Sequence, residues 1–250
     1  MPRFLAAIAT RAASLLLFLA IWELAARLVQ NRLFPGAAAV LATLAEEIAH
    51  GELLHHLGVT LARVAIAFAA AMVAGSAIGI AMGFVRWLDT LLDSWVLLFL
   101  NLPALVIAVL LYIWLGLTET AAIGAVALSK LPAVIVTLRE GTRALDRDLT
   151  EMARSFRLSA GRTLRHVVVP QLSPYFLVAS RSGLALIWKI VLVVELLGRS
   201  DGIGYEIQVF FQLFDIRRLI AYALAFVAVV LAIEWWALLP LERHVTRWRR

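Results

Sequence analysis

The chain has 250 residues, of which 63% are hydrophobic and 16% charged, with a net charge of +6 and no cysteine. Soluble domains are typically about 45–50% apolar and about 25% charged. The composition therefore excludes a soluble globular protein and predicts an all-α integral membrane protein with several spans of about 20 residues each. Without cysteine, a disulfide framework and a thiolate metal site are also excluded. The positive charge lies beside apolar segments, which favours contact with lipid over binding of nucleic acid.

About six apolar segments are predicted to cross the membrane. They are residues 12–29, 59–84, 91–115, 120–136, 174–197 and 219–239. A loop with a short amphipathic helix separates the first two spans. We expect three parts: an N-terminal helix with its outer loop (1–55), the main transmembrane domain (56–238) and a basic tail (239–250). Six spans place most of the arginines on one side, so the positive-inside tendency predicts that both termini are cytoplasmic.

Small side chains recur every four residues along the second span. They are Ala67, Ala71, Gly75, Gly79 and Gly83. This spacing places them on one stripe of a helix, where small residues let a second helix approach closely. The stripe predicts a packing seam, either inside the subunit or between two copies.

The third span contains Asn101 and Pro103. Proline removes a backbone donor and clashes with the preceding turn, so a kink or break is expected there. A broken helix at membrane depth exposes polar backbone groups, which makes the segment a candidate wall of a solute cavity. A simple structural kink is the favoured interpretation.

Two cations, Arg181 and Lys189, lie in the fifth span, about 12 Å apart along a helix. Cations within a membrane usually face a bundle interior or a cavity, so both are candidate solute-path residues, together with Glu195. The alternative is that Arg181 reaches the interface and Lys189 pairs with Glu195. Of the histidines, His50, His55 and His56 cluster, but a solvated outer loop is favoured over a metal site.

A charged island, residues 139–170, follows the fourth span. Seven arginines are found there: Arg139, Arg143, Arg147, Arg154, Arg157, Arg162 and Arg165. Each charge at the centre of a bilayer would cost roughly 2.5–3.5 kcal/mol, so the island must lie outside the membrane. Its pattern predicts a helix at 146–156, a break at 159–161 and a second short helix at 163–169. Such an amphipathic pair is suited to a groove on a partner protein.

The island resembles the EAA loop of binding-protein-dependent ABC importer permeases. That consensus is Glu-Ala-Ala, three residues, Gly, nine residues and Ile-x-Leu-Pro. Its spacing is matched here by Glu151, Met152, Ala153, Arg157, Val167, Val169 and Pro170. Arg157 stands where the family has glycine, which eases the turn between two short coupling helices. We expect Gly161 to take over part of that role and to shift the turn.

A second resemblance lies at residues 187–207, where Glu195, Gly198, Gly202, Gly204 and Tyr205 match the family pattern Glu-x-x-Gly followed by Gly-x-Gly-Tyr. The two patterns together are typical of the nitrate, sulfonate, taurine and bicarbonate branch, and the resemblance covers roughly residues 56–238. It implies a coupling loop between spans four and five that docks on the ATPase. The residues that it assigns to this role are Glu151, Met152, Ala153, Arg154, Phe156, Arg157, Gly161 and Pro170.

The resemblance also implies partners and a location. Two permease subunits, expected to be a homodimer, would form the path in the inner membrane of a bacterium. Two separate ABC ATPase subunits would supply the energy, since this sequence has no GxxxxGK[ST] phosphate loop. A periplasmic or lipid-anchored binding protein would deliver the solute. No cofactor or metal is expected.

Several functions remain open at this point. The leading hypothesis is an importer permease for a small anion such as a sulfonate, taurine or nitrate. An importer permease for a neutral or aromatic vitamin precursor is the alternative. An intramembrane enzyme is disfavoured because HExxH does not occur and all histidines lie in predicted loops or in the tail, so no base is expected at membrane depth. A passive channel would not need the helix pair of the island.

Overall fold

The computed structural model describes residues 2–238, and all regular secondary structure within that range is helical. Two π-helical turns, Leu164–Val168 and Glu234–Leu238, extend α9 and α11. The basic tail, 239–250, lies outside the described residues. The helices are α1 (Pro2–Val29), α2 (Ala37–His50), α3 (Leu53–Phe84), α4 (Arg86–Asn101), α5 (Ala104–Leu115), α6 (Glu119–Arg143), α7 (Arg147–Ser155), α8 (Ala160–Thr163), α9 (Val169–Gly198), α10 (Ile203–Gln212) and α11 (Ile216–Ile233).

Four stretches of helix within the described range are long and apolar enough to cross a membrane. They are Leu53–Phe84, Glu119–Arg143, Gly161–Gly198 and Ile216–Trp236. The pair α4–α5 makes a fifth crossing when its two halves are counted as one span. The amphipathic helix predicted before the second span is α2. The number six stays a prediction.

The third predicted span is broken and not merely kinked. α4 and α5 meet at an angle of 100°, so the favoured interpretation of a simple kink was wrong. Leu102 is extended, with φ −70° and ψ 127°, as is usual for a residue before proline, and Pro103 is the N-cap of α5. Because proline cannot donate to the turn before it, the helical ladder stops at Asn101 and restarts after Pro103.

The seam of small residues packs α3 against α6 within one subunit. A Cβ added to Gly75 would lie 2.7 Å from Val134 Cβ, and one added to Gly83 would lie 2.4 Å from Thr142 Cβ. The backbones of the two helices therefore approach more closely than any larger side chain would allow. This confirms the predicted packing seam and assigns it to the interior of the subunit.

Gly79 is the position on this seam where an added Cβ would come closest to the backbone of α6. A Cβ there would lie 2.5 Å from the carbonyl oxygen of Ile135, which is backbone and cannot rotate away. We expect Gly79→Ala to push α3 from α6 and to destabilise the subunit by about 1–3 kcal/mol. Unfolding by SDS in mixed micelles measures this. Gly58→Ala is the control on the same helix, since a Cβ there meets nothing within 4 Å; equal stability of the two variants would contradict the prediction.

The core of the bundle lies where α3, α5, α6, α9, α10 and α11 meet. The Trp188 and Phe226 rings join α9 to α11 edge to face, with centroids 5.9 Å apart. Phe210 and Tyr222 join α10 to α11 in the same way at 4.9 Å. α10 was not predicted from the sequence. It begins at Ile203, directly after Gly202, and packs against α9.

Candidate functional site

The predicted ATPase-coupling residues are grouped on and beside α7 at one end of the bundle. Ala153 is fully buried, at 0% exposure, whereas Met152 is 45% and Phe156 is 75% exposed. Glu151 is also exposed. Arg154 lies on the same helix, and its side chain is outside the described part of the chain. Ala153 thus packs α7 against its own subunit, while Glu151 and Met152 of α7 and Phe156 just after it are exposed on the outside.

α7 ends in a turn that is made by Arg157 itself. Arg157 has a φ of +51°, and the N–H of Leu158 donates to the carbonyl of Ala153 at 2.9 Å. This is the Schellman arrangement that usually carries glycine at the left-handed position. Gly161, in contrast, is helical within α8. The expectation that Gly161 takes over the turn was therefore wrong, because the left-handed residue stays at the position where the family has glycine.

The second short helix of the island is continuous with the fifth span. α8, a π-helical turn and α9 form one helix from Gly161 to Gly198. Pro170, which has no N–H to donate, lies just after the π-helical turn in this helix. Gln171 closes the loop: its Oε1 accepts from the N–H of Asp146 at 2.8 Å and its Nε2 donates to the carbonyl of Val167 at 3.1 Å. The island is thereby tied to the start of the span that it precedes.

The first two arginines of the island do not lie in the loop. Arg139 and Arg143 belong to the last turns of α6, where they bind carboxylates at the start of α4. Arg139 Nη1 donates to Asp93 Oδ1 at 2.6 Å, and Arg143 binds Asp89. This cluster joins α4 to α6 at the end of the bundle that carries α7, so the free loop is shorter than predicted.

At the opposite end of the bundle, Glu195 is the centre of a buried polar network. It is 0% exposed. Its carboxylate accepts from Arg63 Nη1 at 2.8 Å and from the N–H of Gly204 at 2.9 Å, and it lies 2.9 Å from Thr60 Oγ1. One side chain therefore holds α3, α9 and the start of α10 together. Through its bond to Gly204, Glu195 orients the Gly-x-Gly-Tyr turn.

Arg63 extends the network to two further carboxylates. Its Nε and Nη2 donate to Glu119 at 2.9 and 2.5 Å, its Nη1 donates to the backbone carbonyl of Asp201 at 2.8 Å, and its Nη2 binds the Asp201 carboxylate. Arg199 donates to Glu119 at 2.5 Å and to the carbonyl of Leu117 at 2.6 Å. Three spans and the loop before α10 are joined by these charge-assisted hydrogen bonds, which are about twice as strong as neutral ones.

His56 adds a further contact to this loop. Its Nδ1 accepts from the N–H of Gly202 at 3.0 Å, and its Nε2 lies 3.2 Å from Glu206 Oε1. Burial raises the pKa of Glu206, while the nearby imidazole acts against the rise. The prediction of a solvated loop was therefore wrong for His56, which is buried, although His50 and His55 are exposed. Among the described residues, no group of three or more His, Asp and Glu is placed to hold a metal.

Two of the predicted solute-path residues share one cavity. Arg181 and Lys189 line a cavity of about 300 Å³ between α9 and α11, with Trp188 and Phe226 on its apolar wall and Glu234 among its polar residues. The two cations outnumber the Glu234 carboxylate in this cleft, so its net charge favours a small anion over a cation.

The other candidates lie elsewhere. Glu195 is enclosed by the Arg63 network and does not line this cavity. Asn101 donates through Nδ2 to the carbonyl of Leu97 at 2.8 Å, which caps its own helix, and both Asn101 and Pro103 are exposed. The expected pairing of Lys189 with Glu195 is replaced by the pairing of Glu195 with Arg63.

Arg63 was not among the predicted site residues, although the sequence carries a signal for it. Arg63 is the only charged residue between positions 59 and 84, and a charge inside a span needs a partner or a function. Its partners Glu119, Glu195 and Asp201 are 56 to 138 positions away, so no local pattern identified them.

Comparisons with known proteins agree with this architecture. Residues 71–239 match the family described as "Binding-protein-dependent transport system inner membrane component". The putative aliphatic sulfonates transport permease protein SsuC of Escherichia coli (strain K12) is 34% identical over 188 residues, 74% of this chain and 72% of that protein. The taurine transport system permease protein TauC of the same organism is 28% identical over 196 residues, covering 78% and 71% of the two chains.

A solved structure shares the fold. The crystal structure of an amino acid ABC transporter with histidines superposes with a TM-score of 0.63 at 20% identity, covering 82% of this chain and 97% of that one. The family match spans more than half of the sequence, and the resemblance found in the two motifs is confirmed. The chain therefore belongs to the binding-protein-dependent transport system inner membrane components, as an ABC transporter permease subunit and not an enzyme.

Proposed function

We propose that this chain forms, with a second copy of itself, the transmembrane path of an ATP-driven importer for a small anion such as a sulfonate, taurine or nitrate. Two ATPase subunits dock on α7 and its flanking turn, and a binding protein delivers solute at the opposite end. The orientation that fits this arrangement places both termini, α7 and the Arg139 cluster in the cytoplasm, in keeping with the excess of arginine on that side.

The observation that carries the coupling role is the outward face of α7. Glu151, Met152 and Phe156 are exposed, while Ala153 anchors the helix to its own subunit. A short amphipathic helix with exposed apolar side chains fits a groove on a partner. Because α8 continues into α9, a push on this helix pair is transmitted along the span that carries Arg181 and Lys189. ATP-driven closure of the ATPases thereby alternates access to the path.

The anion preference rests on the relatives and on charge. Relatives are named for aliphatic sulfonates, taurine and nitrate. The cavity that contains Arg181 and Lys189 supplies cationic groups of the right sign. Uptake of an uncharged aromatic solute in preference to these anions would contradict the anion proposal without affecting the coupling role.

Glu151→Lys tests the coupling role. A reversed charge in the docked face is expected to weaken ATPase association by about 2–5 kcal/mol and to lower ATP-driven uptake at least tenfold. Co-purification of the ATPase with the tagged permease measures the first effect, and uptake into cells the second. Glu46→Lys is the matched control, since it makes the same charge change on exposed α2, far from α7. Normal association and uptake with Glu151→Lys would refute the coupling role.

A further inference from the structure

Lys130 is a buried cation near the midpoint of the 25-residue α6. It is 2% exposed, and its ammonium group makes no ion pair or hydrogen bond with the side chains and backbone that the structure describes. An unpaired charge at the centre of a spanning helix costs roughly 2.5–3.5 kcal/mol on insertion scales, and such residues face bundle interiors or aqueous paths. In the network around Glu195, by contrast, Arg63 and Arg199 are both paired with carboxylates.

The neighbouring helices leave space for this side chain. A Cβ added to Gly183 on α9 would lie 2.8 Å from Lys130 Cε and 3.5 Å from Phe68 Cε2 on α3. The end of the lysine side chain therefore lies against α9 at a position where the absence of a Cβ leaves room for it. Gly183 faces α6, whereas Arg181, Ala185 and Lys189 line the cavity on another side of α9. Lys130 is thus separate from the predicted cationic pair.

α6 is also weakened beside Lys130. Pro132, two residues on, lies inside the helix. It has no N–H to donate to the carbonyl of Leu128, so one backbone hydrogen bond of the helix is missing next to Lys130. Such a point is where a spanning helix bends most readily. A bend there would open the space between α6 and α9 next to Gly183.

We infer that Lys130 binds the anionic group of the transported solute in the conformation in which α6 and α9 separate beside Gly183. The inference rests on the proposed anion import. An ammonium group is a compact point charge with three rotatable donors, so it accepts sulfonate and nitrate oxygens alike without the fixed geometry of a guanidinium. In the structure described above, the Lys130 side chain is buried between α3, α6 and α9.

Access to position 130 can be tested directly, because the chain has no native cysteine. The probe is a methanethiosulfonate reagent that carries a sulfonate, applied to Lys130→Cys in the full complex with its ATPases and binding protein. We expect labelling at least tenfold faster in one nucleotide state than in the resting state. Val73→Cys is the control: Val73 is 73% exposed on the apolar spanning helix α3 and lies two residues from Gly75, which packs against Leu131 and Val134.

The expected control result is slow labelling of Val73→Cys in every state, since the charged reagent does not enter lipid. Slow labelling of Lys130→Cys in every state would overturn the inference. Equal acceleration of both cysteines would overturn it too, since that would report general loosening of the bundle.

Lys130→Met separates solute binding from a structural role. Methionine keeps the length of the stem and removes the charge, so the variant complex is expected to melt at the same or a higher temperature. Uptake of ethanesulfonate, taurine and nitrate is expected to fall at least tenfold, and Lys130→Arg to retain part of it. Wild-type uptake by Lys130→Met, or a lowered melting temperature that accompanies the loss, would overturn the inference. If the wild-type complex imports none of the three anions, the proposed function fails as well.

Discussion

Replacing Arg63 with methionine is expected to destabilise the subunit by about 3–5 kcal/mol, the cost of removing one partner from a buried ion pair. Arg63 is 4% exposed, and Glu195 beneath it is 0% exposed. Without the guanidinium, the Glu195 carboxylate keeps the Gly204 N–H and Thr60 but loses its only cation in the network described above. The loop that carries Asp201 also loses its attachment to α3.

The same substitution at an exposed ion pair is the control. Arg27 pairs with Glu23 in α1 at 3.0 Å, with the Arg27 side chain 75% exposed. Exposed pairs contribute at most about 1 kcal/mol, so Arg27→Met is expected to leave unfolding by SDS nearly unchanged. If Arg63→Met and Arg27→Met unfold at the same SDS fraction, the network does not stabilise the subunit.

A double variant identifies the source of the loss. In Arg63→Met with Glu195→Met, no buried carboxylate is left without its cation, so part of the stability lost in Arg63→Met is expected to return. The recovery measures the coupling between the two side chains, since contacting charges are not additive. Strictly additive losses would show that Arg63 acts through Glu119 and Asp201 instead.

Features with a local cause were predicted from the sequence. The stripe from Ala67 to Gly83 has one physical consequence, close approach of another helix, and α6 supplies that helix. An interruption of the helix at Pro103 was expected from the missing donor, but the favoured simple kink was wrong and the 100° angle was not predicted. That angle depends on how α4 is held by Asp89 and Asp93 to the end of α6.

Features that depend on distant partners were not predicted. Glu195 was expected beside Lys189, six residues away on the same helix, but the partner it has is Arg63, 132 positions away. The turn after α7 was expected to move to Gly161 because left-handed backbone favours glycine. Instead Arg157 adopts a φ of +51°, at a cost of roughly 1–2 kcal/mol. The hydrogen bond from the N–H of Leu158 to the carbonyl of Ala153 offsets part of that cost, and the preferences of single residues do not indicate it.

Gly202→Ala is expected to be the most damaging single-methyl substitution in the loop before α10. Gly202 has φ +102° and ψ 166°, a region of backbone conformation that is essentially limited to glycine and costs other residues of order 1–3 kcal/mol. A Cβ there would also lie 2.5 Å from Oε1 and Cδ of Glu195. Because Arg63, Thr60 and the Gly204 N–H fix that carboxylate, it cannot move aside without breaking the network.

Gly116 allows the two effects to be separated. It has φ +72° and ψ 178°, a similar glycine-favoured conformation, but its nearest neighbour to an added Cβ is Thr118 Cγ2 at 3.9 Å. Gly116→Ala therefore measures backbone strain alone, and Gly202→Ala measures strain together with the clash. We expect Gly202→Ala to unfold at a lower SDS fraction than Gly116→Ala. In the Gly202→Ala protein, adding Glu195→Ala should cost less stability than it costs in the wild type. The displaced carboxylate has already left its hydrogen-bond network in that protein. Equal stability of the two glycine variants would show that Glu195 moves freely, and the buried carboxylate would then not be what holds the loop to α3.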